Sequence, residues 1–461
     1  MEKIHADTHL MGKSLFEKFY QHNTSAKPLV YPAGMYIMPG YHELNMVDYD
    51  EGVKRLLDLA WNVFMCQPTR LFLHGLFQIG KQREFWLFNR SGVYRAGLFD
   101  YENDLEVLCT EYRNMTKVQL GINPLINQKF GGPQYIYIKD QGSEMATYGS
   151  DHKREYKLVL DEKPLIVPRD IVSWVPTCYR ATDQFNNQFV VKFSPRKEQS
   201  EAEEKFLCLA KEHNVWGITE LIDYQHIDTS TTSLSCMVIT PFGRPITEYS
   251  TVLEVLECMR DTIKAHRSLY LDARILHRDI SVGNILISNA GNNEPGASKW
   301  ILIDLDCAKD MEFEPEKPYN LTGTKTFMAI DLSRGSDDRV LHTYRHDLES
   351  FFYVFLFMAI SRRGRVSHDS RLRPWQVGWM NWPEIAEKKD ISNNGNFAAI
   401  PAEFRPEFKG LESLAHSLRN ALFFPDGYNF FTGTRIDIRE TEKLYSAMIG
   451  AFEQAVVENR K

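Results

Sequence analysis

His277-Arg278-Asp279-Ile280-Ser281-Val282-Gly283-Asn284 reads H-R-D-x-x-x-x-N and stands just after a helical pattern running from Thr251 to Tyr270. Four fixed residue types at that spacing arise by accident in about 0.3% of chains this long, given average residue usage. An Asp at the head of a loop can orient a hydroxyl and take its proton. An Asn five positions on can hold a metal ion on a nucleotide. The plainer reading, an Asp capping a turn and an Asn satisfying backbone groups, weakens as the neighbouring stretches are added.

Downstream, Trp300-Ile301-Leu302-Ile303-Asp304-Leu305-Asp306 reads as an apolar strand ending in a carboxylate, with Asp304 25 residues after Asp279. That places Asp304 where a Mg²⁺-binding Asp belongs, with Leu305 packed behind it. Upstream, Phe189-Val190-Val191-Lys192 is an apolar strand carrying one Lys, suited to pairing with nucleotide phosphates. Such a Lys needs a helix Glu to hold it, and Ser200-Glu201-Ala202-Glu203-Glu204 opens a helix just beyond. Glu203 is preferred because Phe206, Leu207 and Ala210 then share its face. Ser200…Glu203 is also a capping box, in which case Glu204 or Glu201 would be the partner. The pattern over 166–270 is a small β-rich unit feeding a helical one, with strands expected at Ile171–Ser173, 177–181, 189–193, 221–226 and 234–240.

Gly323-Thr324-Lys325-Thr326-Phe327-Met328-Ala329-Ile330-Asp331 resembles the end of a protein kinase activation segment, with Ile330 and Asp331 replacing the usual Pro and Glu. Further stretches are similar to the fungal-type protein kinase family. They are PTCYRA (176–181), FVVKFS (189–194), AHRSLY (265–270), ILHRDIS (275–281), LIDLD (302–306) and HTYRHDLESFF (342–352). QPTRLF (67–72) and the Asn89-Arg90-Ser91-Gly92 turn extend the likeness into the N-terminal third. The resemblance implies an α+β, bilobal protein kinase-like fold: an N-terminal α+β extension over 1–165, a small lobe over 166–243 and a helical lobe over 244–461. It also implies an ATP- and Mg²⁺-dependent serine/threonine kinase acting on a protein substrate. Asp279 would orient the hydroxyl, with Thr324 beside it. Asn284 and Asp304 would hold Mg²⁺, and Lys192 would steady the ATP phosphates with Glu203. The adenine would sit near Ile239, Thr240, Pro241 and Phe242. His277, Arg278, Asp331 and Asp347 would support the site, with Asp331 anchoring its segment by an ion pair and Asp347 bracing the loop from beneath. Arg278 suggests regulation by a phosphate in 307–326, with Thr322, Thr324 and Thr326 as candidates.

Three departures open other readings. The stretch expected to cover the nucleotide, Ile171–Cys178, has no Gly, although backbone N–H groups must approach the phosphates closely there. Ser281 stands where such enzymes usually carry a Lys, and Asp306 replaces the Gly that lets the turn flip. A catalytically weak pseudokinase acting as a scaffold is therefore the alternative, and a small-molecule kinase a further one.

Composition bounds partners more than chemistry. The 461 residues carry 54 Lys+Arg against 61 Asp+Glu, a formal charge of −7, which argues against a protein that binds nucleic acid through charge. The longest apolar run, Phe351–Ile360, is too short for a bilayer, and no membrane association is expected. Seven scattered Cys without a CxxC pair fit a reducing, intracellular setting, cytoplasmic or nuclear. Nothing here selects an oligomeric state. In the N-terminal third, apolar spacing predicts a helix over 51–66, then a three-stranded meander over 71–99 with a turn at Gly80-Lys81-Gln82-Arg83, then an extended pair at 135–139 and 156–160. No chemical motif falls there, so packing on the small lobe is favoured over an independent ligand site.

Overall fold

A computed structural model of the chain describes residues 2–3, 49–79, 82–95, 99–100, 114–129, 131–139, 155–196, 202–229, 232–288, 298–312, 322–333, 340–377, 388, 391, 394–426, 429–430 and 437–460. The expected turn residues Gly80 and Lys81, the alternative partner Glu201 and most of 307–321 lie outside them. The chain is mixed α+β and divides into two compact units, residues 1–200 with 222–240, and 201–221 with 241–461.

In the first unit, helix α1 (Tyr49–Cys66) buries Leu56, Ala60 and Phe64, four residues apart and therefore on one stripe. The stripe packs on Leu73, Phe77, Trp86 and Phe88 of the meander. Its strands are β1 (Glu2–Lys3), β2 (Phe72–Ile79), β3 (Gln82–Asn89), β4 (Gly92–Arg95) and β5 (Phe99–Asp100), in the order β1-β4-β3-β2 with β5 on β3. Asn89 Oδ1 accepts from the N–H groups of Ser91 and Gly92, which closes the β3–β4 turn.

A second sheet holds β6 (Asn127–Gln128), β7 (Gln134–Lys139), β8 (Glu155–Leu160), β9 (Thr177–Thr182), β10 (Gln188–Pro195), β11 (Glu220–Asp228) and β12 (Ser233–Thr240). Its order is β11-β12-β10-β9-β8-β7-β6. Alternate residues, among them Ile136, Ile138, Leu158, Leu160, Tyr179, Ala181, Val191 and Phe193, form one buried face. Lys192 projects from the other face, opposite Met237 of β12 and Cys178 of β9, and is only 5% exposed. Val159 and Leu160 of β8 pair with Thr182 and Ala181 of β9, so the sheet runs without a break across residue 165.

The strand expected at Ile171–Ser173 is not formed. Other partners take this segment's polar groups. The Arg90 guanidinium donates to the carbonyls of Asp170 and Ile171 as well as Pro68, and Trp61 Nε1 donates to that of Arg169. Ser173 N–H bonds the Arg90 carbonyl, and the Ile171 side chain enters the α1 core. The β-branched residues signalled a strand, but a buried Arg outcompeted the ladder. Replacing Arg90 by Met should destabilise the chain by about 2–4 kcal/mol, since buried carbonyls lose their donors. The urea midpoint at constant m value checks this.

In the second unit, helix α2 (Glu203–Glu212) is followed by β13 (Gly243–Pro245), helix α3 (Val252–Leu271), β14 (Ile275–Leu276), β15 (Ile285–Ser288), β16 (Trp300–Leu302) and β17 (Lys309–Asp310). Then come helices α4 (Tyr344–Ile360), α5 (Glu412–Leu422) and α6 (Ile438–Asn459), with shorter helices between them. Thr251 caps α3 by accepting from Glu254 N–H. Every residue of α4 is buried, the apolar stretch 351–360 against core on all sides and the charged first turns through polar partners, and α3, α5 and α6 supply much of the surrounding core. Strands β13-β15-β16 form one small sheet and β14-β17 another. Among the described residues no helix is long and apolar enough to cross a membrane.

Candidate active site

Two short ladders set the loop that carries the H-R-D-x-x-x-x-N residues. β14 ends at Leu276 and β15 begins at Ile285, so the eight residues between them are pinned at both ends. His277 is fully buried. Its Nδ1 accepts from Asp279 N–H at 3.2 Å, and its Nε2 lies 3.0 Å from the Ile303 carbonyl. Those partners require the neutral Nε2–H tautomer, and burial holds His277 below the ordinary imidazole value. Arg278 occupies the left-handed region at φ +68°, unfavourable for a side chain of its size. Its N–H donates to Asp347 Oδ2 at 3.1 Å, and its Nη2 donates to Thr322 Oγ1 at 2.8 Å.

Asp279 is oriented by three groups. Thr324 N–H and Oγ1–H each donate to Oδ1 at 2.7 Å. Asn284 Nδ2 donates to Oδ2 at 3.2 Å and to the Asp279 carbonyl at 2.8 Å, which leaves Asn284 Oδ1 as the acceptor side of that amide. Gly323 permits the approach: its φ is +114°, and a Cβ there would meet the Arg278 carbonyl at 2.7 Å. Ser281 closes a turn within the loop, its Oγ accepting from Gly283 N–H.

Asp347, buried in the first turn of α4, organises the ground beneath. Oδ2 accepts from Arg278 N–H and from His266 Nε2 of α3 at 2.8 Å, and Oδ1 accepts from His342 Nε2 at 2.8 Å. His266 Nδ1 in turn lies 2.8 Å from the hydroxyl of Tyr445 on α6. Burial by itself would raise the Asp347 carboxyl, but the His342 and His266 imidazoles outweigh it and hold the group well below the usual carboxylate range. The loop backbone is thus tied to α3, α4 and α6 through one carboxylate.

Asp304 follows β16 with φ +70°. The Ile303 N–H bonds the Asn284 carbonyl, and Ile285 pairs with Leu302, so Asp304 and Asn284 emerge side by side. Glu203 Oε1 accepts from Leu305 N–H at 3.0 Å. Carboxylate oxygens of Glu203, Asp304 and Asp306 lie within 4.8 Å of one another, a hard oxygen set of the kind Mg²⁺ takes. Helix α2 begins at Glu203 with Ala202 as its cap, and Ser200, the other half of the expected capping box, lies outside the described residues. Glu204 is also buried. Lys192 belongs to the first unit, on β10. Ile239 and Thr240 end β12, and Pro241 and Phe242 lead to β13.

The segment 323–331 has anchors that sequence reasoning missed. The Ile330 N–H donates to Glu349 Oε1, whose carboxylate also accepts from Tyr353 and Arg345. Lys388 Nζ donates to the Met328 carbonyl at 2.5 Å and lies 3.4 Å from the Tyr353 ring centroid. These two contacts tether the segment at Met328 and Ile330, next to Asp331. Burial lowers the Lys388 ammonium to about 7. An unfolded lysine keeps its proton to about 10.5, so between those values the unfolded chain binds a proton that the folded chain sheds. The contribution of Lys388 to stability should therefore rise from pH 7 to pH 10 and level off above. Urea midpoints across that range should show the rise in the wild type and a flatter profile in Lys388→Met.

Reading the site upward, an oriented carboxylate, an amide beside it, a carboxylate group of metal-binding character and a tethered segment over the loop are the parts of a kinase. A profile of the family described as fungal protein kinase matches residues 37–234 and 229–359. The chain belongs to the fungal protein kinase family. A search among curated proteins finds no match.

Proposed function

We propose that this kinase transfers the γ-phosphoryl group of Mg·ATP to serine or threonine hydroxyls of a protein. The observation that carries the reading is the Asp279 carboxylate, fixed by Thr324 and Asn284 on a loop that Asp347 braces. Oδ1 already accepts two bonds, so Oδ2 has the capacity to orient an incoming hydroxyl and accept its proton. Mg·ATP, when bound, supplies the transferable phosphoryl group and the cation that offsets its charge. Asn284 Oδ1, Asp304 and the neighbouring Asp306 and Glu203 are the oxygens suited to that cation, and Lys192 is the candidate for the phosphates. The adenine is assigned to the connection at Ile239–Phe242. Segment 323–331, tethered at Met328 and Ile330, suits an extended peptide better than a small acceptor. Labelling a lysate of fungal proteins with γ-labelled ATP and hydrolysing the products tests the reading. Phosphoserine or phosphothreonine is the expected product, and label confined to small molecules would contradict it.

One observation favours a scaffold with weak or no turnover. The connection between β8 and β9, residues 161–176, contains no Gly, and Arg90 and Trp61 hold its backbone at 169–171. A Mg·ATP thermal shift separates the readings: no stabilisation at millimolar nucleotide supports the scaffold.

A further inference from the structure

The N-terminal part of the first unit carries a partly open cavity of about 1020 Å³ that the phosphoryl-transfer reading does not use. The end of α1 with residues 67–70, parts of 117–129 and 131–134, the end of β8 with the residues after it, and Tyr179 of β9 form its walls. The walls are built. Arg70 is buried, and its guanidinium donates to Gln67 Oε1 and to the carbonyls of Phe72 and Leu120. Gly121, at φ +75°, lies so close to β2 that a Cβ would meet the Phe72 carbonyl at 2.0 Å.

Asn123 lines this space and is only 3% exposed. Its Oδ1 accepts from Leu125 N–H at 3.0 Å, which assigns the other amide position to Nδ2. That buried Nδ2 has no hydrogen-bond partner among the described residues. A buried donor left so is unfavourable; Nδ2 is closed off by the wall as it stands, and an acceptor bound in the cavity would reach and relieve it once the wall shifts. Lys117 and Lys129 line the cavity and form no ion pair among the described residues, whereas Asp161 is taken by Arg180 at 2.7 Å. Counting Glu162, the lining keeps an excess of one positive charge. Ile122, Ile126 and Leu160 supply apolar surface.

A donor, a net positive charge and an apolar wall complement one kind of molecule. We propose that this cavity binds an amphipathic organic anion of metabolite size, its apolar body on Ile122, Ile126 and Leu160 and its single carboxylate or phosphate head toward Asn123 and the two lysines. The volume lies at the upper end for such ligands. The N-terminal region would then be a ligand site and not packing alone.

Fluorescence titration of the full chain with 8-anilinonaphthalene-1-sulfonate, an aromatic body with one anionic head, tests this. Saturable binding at one site is expected, unaffected by saturating Mg·ATP and at least about tenfold weaker in the Lys117→Glu/Lys129→Glu double variant. Asn123→Asp, which keeps the acceptor for Leu125 and removes the donor, should weaken it similarly. If Asn123→Asp fails to fold, the surface lysine pair decides. Displacement by decanoate or by 1-naphthyl phosphate tells a carboxylate head from a phosphate one. Absence of saturable binding, competition by Mg·ATP, or equal affinity in the lysine variant would overturn the proposal.

Discussion

Replacing Asp279 by Asn is expected to lower phosphoryl transfer by about 10²- to 10⁴-fold, the span typical of a positioned general base. Geometry explains why the loss should fall on turnover and not on folding. Asn keeps a carbonyl oxygen to accept from Thr324 N–H and Oγ1–H, both now 2.7 Å from Oδ1. The oxygen it replaces, Oδ2, carries only the longer bond from Asn284. The variant therefore retains the two Thr324 contacts, gives up the longer Asn284 bond and loses the atom that accepts a proton. Mg·ATP affinity should change little, because no nucleotide contact is assigned to Asp279. Stopped-time assays beside a Mg·ATP thermal shift separate the two effects.

The second large effect concerns stability. Asp347→Ala should cost about 3–5 kcal/mol, the range for breaking a buried charged pair by removing one partner. His266 and His342 would each lose their acceptor, and Arg278 N–H, at its left-handed φ, would lose its anchor. Activity should fall with it, because Asp279 is the next residue along. The pH dependence has a definite sign. The folded Asp347 carboxyl lies well below its ordinary 3.8, so the unfolded chain binds the proton first. Its stabilisation is present above pH 4 and is lost as pH falls through the folded value. Acid unfolding monitored by circular dichroism should therefore be less steep below pH 4 in the variant than in the wild type.

What could be read in the sequence was local. The loop from His277 to Asn284, the carboxylate after β16 and the helix spacings of α1 and α3 all depend on residues a few positions apart, where periodicity and motif spacing speak directly. The network around Asp347 joins residues on three helices and the turn before α4, and only folding brings His266, His342 and Tyr445 together. Lys388 gave no signal, since a Lys-Lys pair in a polar stretch ordinarily marks solvent. In the fold the aromatic rings of Tyr353 and Trp375 and the Met328 carbonyl make it a buried strut. The misread strand at Ile171–Ser173 has a similar cause. Propensity counts β-branched side chains but does not see an Arg 80 residues away taking the carbonyls. Likewise, the prolines near 165 mark a connection between two paired strands, β8 and β9, which sequence punctuation cannot tell from a linker.

The central claim is phosphoryl transfer through Asp279. It is tested most directly by incubating the purified chain with γ-labelled Mg·ATP and a protein acceptor, with Asp279→Asn in parallel. The prediction is label on acceptor serine or threonine in the wild type and at least 10²-fold less in the variant. No transfer at millimolar Mg·ATP, or equal transfer by the two proteins, would contradict it.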